Sequence, residues 1–443
     1  RLIRRQRQMC IRDSLYVFDE PSSYLDIKQR IKVSKFIRNL ADENTAVLVV
    51  EHDLIILDYM TDLVHIMYGK EGAYGVVSGV KATKNGINVY LEGYLKEENI
   101  RFRDKKISFP AKPPVIEKEG AELVRWEGIE KTLDSFNLKS AEGSISKKDS
   151  IGVLGENGIG KTTFVKILAG IIKPNKGELN SQVKVSYKPQ YIVAEKDVFV
   201  REILKNSLEK YSTELIKPLQ LERLLDKQIT HLSGGELQRV AIAAAVLKDA
   251  NFYVFDEPTS YLDIKQRIRV SQFIRKLAND NTAVIVIEHD LIILDYMTDL
   301  IHLMYGKAGA YGIVSQVKTT REGINIYLDG FLREENIRFR DHSIKFFTRV
   351  EERITKQELL ISWNNIAKKL GTFNLTAKHG EVFKNDVIGV LGENGIGKTS
   401  FVKILAGIIK PETGNINTQI KGAYKPQYID TTSEDLVLNH LQN

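Results

Sequence analysis

The chain contains two copies of one long stretch of sequence. Tyr16 corresponds to Tyr253, His52 to His289, Phe136 to Phe373, Gly155 to Gly392 and Gln190 to Gln427, each pair 237 positions apart. The register runs without an insertion from Leu15–Asn206 onto Phe252–Asn443. Solenoid repeats have periods of about 20–50 residues, whereas a period this long has the size of a whole domain. The order along the chain is a C-terminal portion, a complete unit, and an N-terminal portion. Residues 207–251 have no second copy, and they hold the run Leu232-Ser233-Gly234-Gly235-Glu236-Leu237-Gln238. Only the middle of the chain contains one of everything.

Within each copy, short apolar runs alternate with helical spacing. Leu15–Phe18, Thr45–Val50 and Ser150–Leu154 are rich in β-branched and apolar residues and end at polar ones, as buried parallel strands do. Lys28–Leu40, Leu54–Thr61 and Lys161–Ala169 carry apolar residues at helical spacing. This alternation predicts an α/β fold with a mainly parallel sheet. Asn85–Arg103 is mixed and polar, with aromatics and basic residues interleaved. Residues 105–120 hold Pro110, Pro113 and Pro114 and read as a linker. The expected organisation is a non-native tail at 1–14, a C-terminal half domain with hinge at 15–104, the linker, a complete domain with hinge at 121–346, and an N-terminal half domain at 347–443. The tail assignment rests on Met9-Cys10-Ile11-Arg12-Asp13-Ser14, which resembles the translated end of a sequencing adaptor.

Composition sets the outer limits. With 43% hydrophobic and 27% charged residues the chain has the make-up of a soluble globular protein. No apolar run reaches the roughly 20 residues that span a bilayer, and the Arg-rich start has no apolar segment behind it to make a signal peptide. The single cysteine, Cys10, excludes a disulfide framework or a cysteine-ligated metal cluster within this chain, and a reducing cytoplasm fits. A net charge of +7 is compatible with an RNA-rich partner without requiring one.

The chemistry begins at Gly155-Glu156-Asn157-Gly158-Ile159-Gly160-Lys161-Thr162, which fits G-x-x-x-x-G-K-[ST] between an apolar strand and a helix. Glycines let backbone N–H groups wrap phosphates, Lys161 reaches the outer phosphates, and the Thr162 hydroxyl ligates Mg²⁺. The nucleotide-binding set is Gly155, Asn157, Gly158, Gly160, Lys161, Thr162 and Thr163. Its copy is Gly392, Asn394, Gly395, Gly397, Lys398, Thr399 and Ser400. Asp256 and Glu257 end the strand Phe252–Phe255, where one carboxylate can hold the metal and the next can orient or deprotonate water; Asp19 and Glu20 repeat them. An acidic pair at a strand end is also what a solvated turn looks like, and the phosphate loop upstream favours the catalytic reading. His289, with its copy His52, follows a strand and is placed to hydrogen-bond a phosphate.

Together these residues resemble the nucleotide-binding domain of the ABC ATPases, a P-loop NTPase fold with an antiparallel β subdomain and a helical signature subdomain. The resemblance covers about Ala121–Phe346. It implies that ATP and Mg²⁺ are the cofactors. It makes Gly155–Thr162 the Walker A loop and Gln190, with its copy Gln427, the Q-loop glutamine near the metal. Asp256 becomes the Walker B aspartate, Glu257 the catalytic glutamate and His289 the switch histidine. Ser260–Asp263 resembles the D-loop. Phe136 lies where the family sets an aromatic against adenine, although a Phe on a strand is more often core. The implied metal set is Thr162, Gln190 and Asp256, copied as Thr399, Gln427 and Asp19. Ser233, Gly234, Gly235 and Glu236 resemble the signature, which in this family serves the ATP held by another domain, so the resemblance implies domain pairing within or between chains.

Gly86-Ile87-Asn88, Gly93-Tyr94-Leu95, Glu98-Asn99 and Arg101-Phe102-Arg103 resemble the hinge of the ribosome-recycling branch, the RNase L inhibitor family. Tyr16–Arg30 is similar to that family's first ATPase domain, and Tyr187–Ile192 to its second. The family is a cytoplasmic twin-domain ATPase that splits ribosomes. Ribosomal subunits and release or initiation factors are therefore the implied partners, with rRNA phosphates near Asn99–Lys106 and Asn336–Lys345 and no membrane. Three departures stand out. The eight-cysteine iron–sulfur domain has no counterpart, so no iron–sulfur cluster is expected in this chain. The half-domains are out of family order. The middle unit joins a second-domain-like N-terminal half to a first-domain-like C-terminal half, as a recombined or mis-assembled gene would. The alternatives are the ATPase subunit of a membrane transporter, which shares the motifs without the hinge, and a nucleotide-gated binding module with little turnover.

Overall fold

The computed structural model describes residues 13–104, 106–107, 120–181, 183–190, 197–204, 212–340, 343–344, 358–417 and 421–427. The basic start with Cys10 and most of the Pro-containing 105–120 lie outside the described residues. The chain divides into two compact units. One is Arg1–Ser22, Lys32–Lys106 and Arg349–Asn443, and the other is Ser23–Ile31 and Ile107–Thr348.

The second unit is built on a ten-stranded sheet. Its centre is parallel: Leu300–Lys307, Ser150–Gly155, Ala283–Ile287, Phe252–Asp256 and Val185–Lys188 lie side by side in that order. Every residue of Ser150–Gly155, Phe252–Asp256 and Ala283–Ile287 is buried. This explains why these runs are continuously apolar rather than alternating. Glu122–Leu133 pairs antiparallel with Lys176–Ser181, Phe136–Ser140 and Gly143–Ser146, forming the antiparallel part. Phe164, Val165 and Leu168 of the helix Lys161–Leu168 join Trp126, Ile151, Val153 and Ile285 in one core. The 13-residue helix Gly234–Val246, with short helical turns before it, belongs to the sequence that has no second copy.

The nine-stranded sheet of the first unit draws its strands from both ends of the chain. Val387–Gly392 lies between Leu63–Lys70 and Ala46–Val50, parallel to both. Asp13–Asp19 is flanked by Ala46–Val50 and Lys421–Lys425, again in parallel. That strand begins two residues before the repeat, and the register with Lys421–Lys425 shifts between Asp13 and Leu15. The tail assigned to 1–14 therefore reaches into the sheet by two residues.

The mixed segment Asn85–Arg103 is more regular than its composition suggests. A helix, Thr83–Glu92, stops at Gly93 in the left-handed conformation (φ 76°), and the pair Tyr94–Leu95 and Ile100–Arg101 follows. Gly86 lets this helix lie on the sheet: a Cβ there would come within 2.1 Å of Val64 Cγ1. Close backbone approach, not helix propensity, explains a glycine at that position. Thr320–Asp329, Gly330 and Gly323 repeat the arrangement in the second unit. Among the described residues no helix is long and apolar enough to cross a membrane.

Candidate active site

The loop between Ser150–Gly155 and the helix Lys161–Leu168 closes on its own lysine. Lys161 Nζ donates to Gly155 O (3.0 Å), Glu156 O (2.8 Å) and Asn157 Oδ1 (3.2 Å). Gly158 and Gly160 hold φ values of 76° and 90°, a region that only glycine enters cheaply. Gly160 also faces the Phe136 ring, which a Cβ would approach within 2.8 Å. Burial lowers the Lys161 pKa to about 8, opposed by the nearby carboxylates. Phe136, Asn157, Gly158, Thr163, Gln190 and Glu257 are among the residues lining a cavity of about 550 Å³. Phe136 thus sits on the wall of this cavity, against the loop.

The parallel sheet brings the end of Phe252–Asp256 under the loop. Thr162 Oγ1 donates to Asp256 Oδ2 across 2.8 Å, and Gln190 Nε2 donates to Glu257 Oε1 across 2.7 Å. Glu257 adopts φ 45°, a conformation that costs a non-glycine residue free energy. Burial raises the pKa of both carboxylates; the neighbouring Glu288 adds to the shift at Glu257. His289 Nε2 lies 3.5 Å from Glu257 Oε1 and has no hydrogen-bond partner among the described residues. Burial, with Lys161 nearby, holds its pKa well below the ordinary value, so the ring is neutral at pH 7.

The copy in the first unit repeats the lysine, threonine and histidine contacts. Lys398 Nζ donates to Gly392 O (3.1 Å), Glu393 O (2.8 Å) and Asn394 Oδ1 (3.3 Å), and Thr399 Oγ1 donates to Asp19 Oδ2 (2.7 Å). Gly395 and Gly397 again have positive φ, 70° and 89°. His52 Nε2 lies 3.5 Å from Glu20 Oε1, and Glu20 has φ 47°. Ser400 follows Thr399 in the helix Lys398–Leu405, and Gln427 lies just past Lys421–Lys425.

Ser233, Gly234, Gly235 and Glu236 do not line the cavity. They start the helix Gly234–Val246. The Ser233 N–H donates to Glu236 Oε2 (2.8 Å), the Glu236 N–H donates to Ser233 Oγ, and Lys227 pairs with Glu236 at 2.7 Å. This capping box explains the Ser and Glu of the run as local helix-start chemistry.

Two residues at the site had no role in the sequence reading. Lys188, between Tyr187 and Pro189, is buried and donates to Asp256 O (2.8 Å) and Glu257 O (3.3 Å). Burial lowers its pKa to about 8. Lys425 repeats the contact with Asp19 O. The strand Val185–Lys188 reads Val-Ser-Tyr-Lys and the lysine ends it, so no local pattern marked the residue as buried. Glu288, just before His289, is likewise buried. In the hinge, Arg103 and Arg340 turn inward, donating to Tyr90 O and Tyr327 O and stacking on those rings at 4.7 Å. Of the arginines expected near rRNA, Arg101 and Arg338 are the exposed ones.

Among the described residues there is no cluster of three or more His, Cys, Asp or Glu that could hold a metal. The side chains beside the loop suit a different ion. Thr162, Asp256 and Gln190 offer oxygen donors of mixed type, the set a hard divalent cation takes together with phosphate oxygens and water.

The ABC transporter family model matches residues 138–260 and 374–440. An uncharacterized ABC transporter ATP-binding protein of Methanocaldococcus jannaschii is 47% identical over 333 residues, covering 74% of this chain and 54% of that protein. Translation initiation factor RLI1 of Saccharomyces cerevisiae is 37% identical over 355 residues, covering 77% and 58%. ABC transporter E family member 3 of Arabidopsis thaliana is 39% identical over 158 residues, 33% of this chain and 87% of that protein. An archaeal ribosome recycling factor, aABCE1, solved in complex with the ribosomal stalk protein aP1, superposes with a TM-score of 0.65 at 46% identity, covering 71% of this chain and 62% of that one. The chain spans a little over half the length of the first two relatives.

Proposed function

We propose that this chain, which belongs to the ABC ATPase family in its RNase L inhibitor (E) branch, binds and hydrolyses MgATP and uses that cycle on ribosomal subunits. One observation carries the ATPase reading: the phosphate loop, Asp256 and the Gln190–Glu257 pair converge on a single cavity.

In this reading the loop N–H groups and Lys161 bind the phosphates, with the positive end of the following helix beneath them. Thr162, Asp256 and Gln190 would hold Mg²⁺, which when bound offsets negative charge on the phosphates. Phe136 stacks on the base. Glu257 accepts a proton from the attacking water, a task its raised pKa suits. Gln190 holds the Glu257 carboxylate through its amide, and neutral His289 offers its unpartnered Nε2 to a phosphate oxygen. Glu20 and His52 take the same roles in the first unit. Ser233–Glu236 stands outside this cavity, in keeping with a role toward nucleotide held elsewhere.

The ribosomal reading rests on the hinge residues and on relatives named as translation initiation and ribosome recycling factors. Turnover of the chain with Glu257→Gln and Glu20→Gln tests the enzyme reading. Loss of about 10²–10⁴-fold in kcat is expected at whichever site turns over, and unchanged kcat in both variants and in their combination would sink it. Sedimentation with ribosomal subunits in ATP tests the partner. Co-fractionation with membranes instead would favour the transporter alternative, and ATP binding without turnover the gated binding module.

A further inference from the structure

The four residues that follow or flank Glu257 and His289 close a polar ring. Ser260 Oγ donates to Glu257 Oε2 (3.1 Å), and Thr259 Oγ1 donates to Glu288 Oε2 (2.5 Å). The other Glu288 oxygen accepts the backbone N–H groups of His289 (2.8 Å) and Asp290 (3.3 Å). His289 then faces Glu257 at 3.5 Å. Glu288 is 4% exposed and Thr259 1%.

The arrangement occurs twice. Ser22 Oγ donates to Glu51 Oε2 (2.6 Å), Glu51 Oε1 accepts from His52 N (2.8 Å) and Asp53 N (3.3 Å), and His52 faces Glu20 at 3.5 Å. In sequence the two copies differ here only in Ser22 for Thr259, which keeps the hydroxyl.

A buried carboxylate is a costly way to hold two loops together, because taking the charge out of water must be offset by its hydrogen bonds. The position it serves is demanding. Glu257 sits at φ 45°, and such a residue stays there only when its surroundings over-determine it. A second tie, Arg267, runs from Leu262 O (2.8 Å) to Asp290 Oδ2 (3.0 Å), but it engages neither the residue next to Pro258 nor the backbone of His289; Glu288 does both.

We infer that Glu288 is a positioning residue of the hydrolytic site. Its carboxylate fastens the Thr259 hydroxyl, on the segment after Glu257, to the backbone of the His289 loop, and so holds Glu257 and His289 at a set separation. Glu51 does the same for Glu20 and His52 through Ser22. This rests on the proposed roles of Glu257 and His289 and adds the element that spaces them. It separates binding from chemistry: phosphate-loop contacts do not pass through Glu288, so its loss acts on turnover rather than on affinity.

The test is steady-state ATP hydrolysis by the full chain carrying Glu20→Gln, so that only the middle site is read. Thr259→Val removes the strap and keeps the carboxylate, Thr259→Ser restores the hydroxyl as in the first unit, and Glu288→Ala removes all three bonds. Thr259→Val is expected to lower kcat about tenfold, in line with the sensitivity of rate to small displacements, with KM for ATP within about twofold. Thr259→Ser is expected to recover most of that loss, and Glu288→Ala to lose at least as much as Thr259→Val. If Glu288→Ala does not fold, the two Thr259 variants decide alone. Unchanged kcat in Thr259→Val overturns the inference, and so does an equal loss in Thr259→Ser, since the hydroxyl would then be irrelevant. If Glu257→Gln added to the same background leaves turnover intact, the reading of Glu257 fails instead, whatever the Thr259 variants do.

Discussion

Thr399 donates a hydrogen bond to Asp19 across 2.7 Å, although 380 positions separate the two residues. They meet because Val387–Gly392 is inserted between Leu63–Lys70 and Ala46–Val50, which puts the second phosphate loop beside the end of Asp13–Asp19.

A chain ending at residue 346 should therefore lose the first unit while keeping the second. Removing Val387–Gly392 leaves Ala46–Val50 and Leu63–Lys70 without the strand between them, and Leu48 and Val64, fully buried in the intact sheet, become exposed. Hydrogen exchange checks this. Amides of Leu48 and Val64 should lose protection, while those of Val254 and Ile285 keep it. Retained protection at Leu48 and Val64 would mean that the sheet does not depend on the C-terminal strands.

Glu257 should cost the protein stability as pH rises. Its folded pKa is raised above the unfolded value of about 4.3 by burial. The folded state therefore binds the proton more tightly, which favours folding at acid pH, and that advantage is lost as pH rises through the folded pKa. In EDTA, Glu257→Gln should melt above the wild type at neutral pH and alongside it below about pH 4. A difference in Tm that is constant with pH would contradict the burial argument. Turnover should fall on the acid side, where the base keeps its proton.

Lys188→Met should destabilise the second unit. The amine of Lys188 is the hydrogen-bond donor to Asp256 O and Glu257 O, and leaving buried carbonyls unpaired costs about 1–3 kcal/mol. Denaturant unfolding should show a lower midpoint at unchanged slope. An unchanged midpoint would indicate that another donor or water reaches those carbonyls.

Ala377→Ser should stabilise the first unit. In the second unit Trp126 Nε1 donates to Ser140 Oγ at 2.9 Å. The matching Trp363 Nε1 is buried without a hydrogen-bond partner among the described residues, because Ala377 stands where the repeat has Ser140. Supplying the acceptor should gain about 1 kcal/mol, read as a rise in the Tm of that unit, whereas a fall would show that the site has no room for the hydroxyl.

The phosphate loops were legible because their chemistry is local. Glycines at fixed spacing, a lysine and a hydroxyl residue say what they bind before any fold is known. The strand ends were legible too, since Asp256 and Glu257 interrupt an apolar run. Lys188 and Glu288 were not, because a charged residue at or just past the end of a strand is usually solvated and only burial against a named carbonyl or hydroxyl reveals a role. The helix Thr83–Glu92 was obscured by Gly86, whose reason is the nearness of Val64 across the sheet. Arg103 and Arg340 read as surface charge, and ring stacking and backbone carbonyls turn them inward.

The sequence alone determined the α/β class, the 237-residue period, both phosphate loops and the residues able to work with them, because these depend on residue type and short spacing. Tertiary structure decided which of those residues meet. Thr162 and Asp256 are 94 positions apart, and Thr399 and Asp19 are 380. Parallel strand pairing, driven by burial of runs whose side chains exclude water on both faces, closes those distances. No short spacing encodes that step, because it depends on the neighbour each strand finds in the sheet.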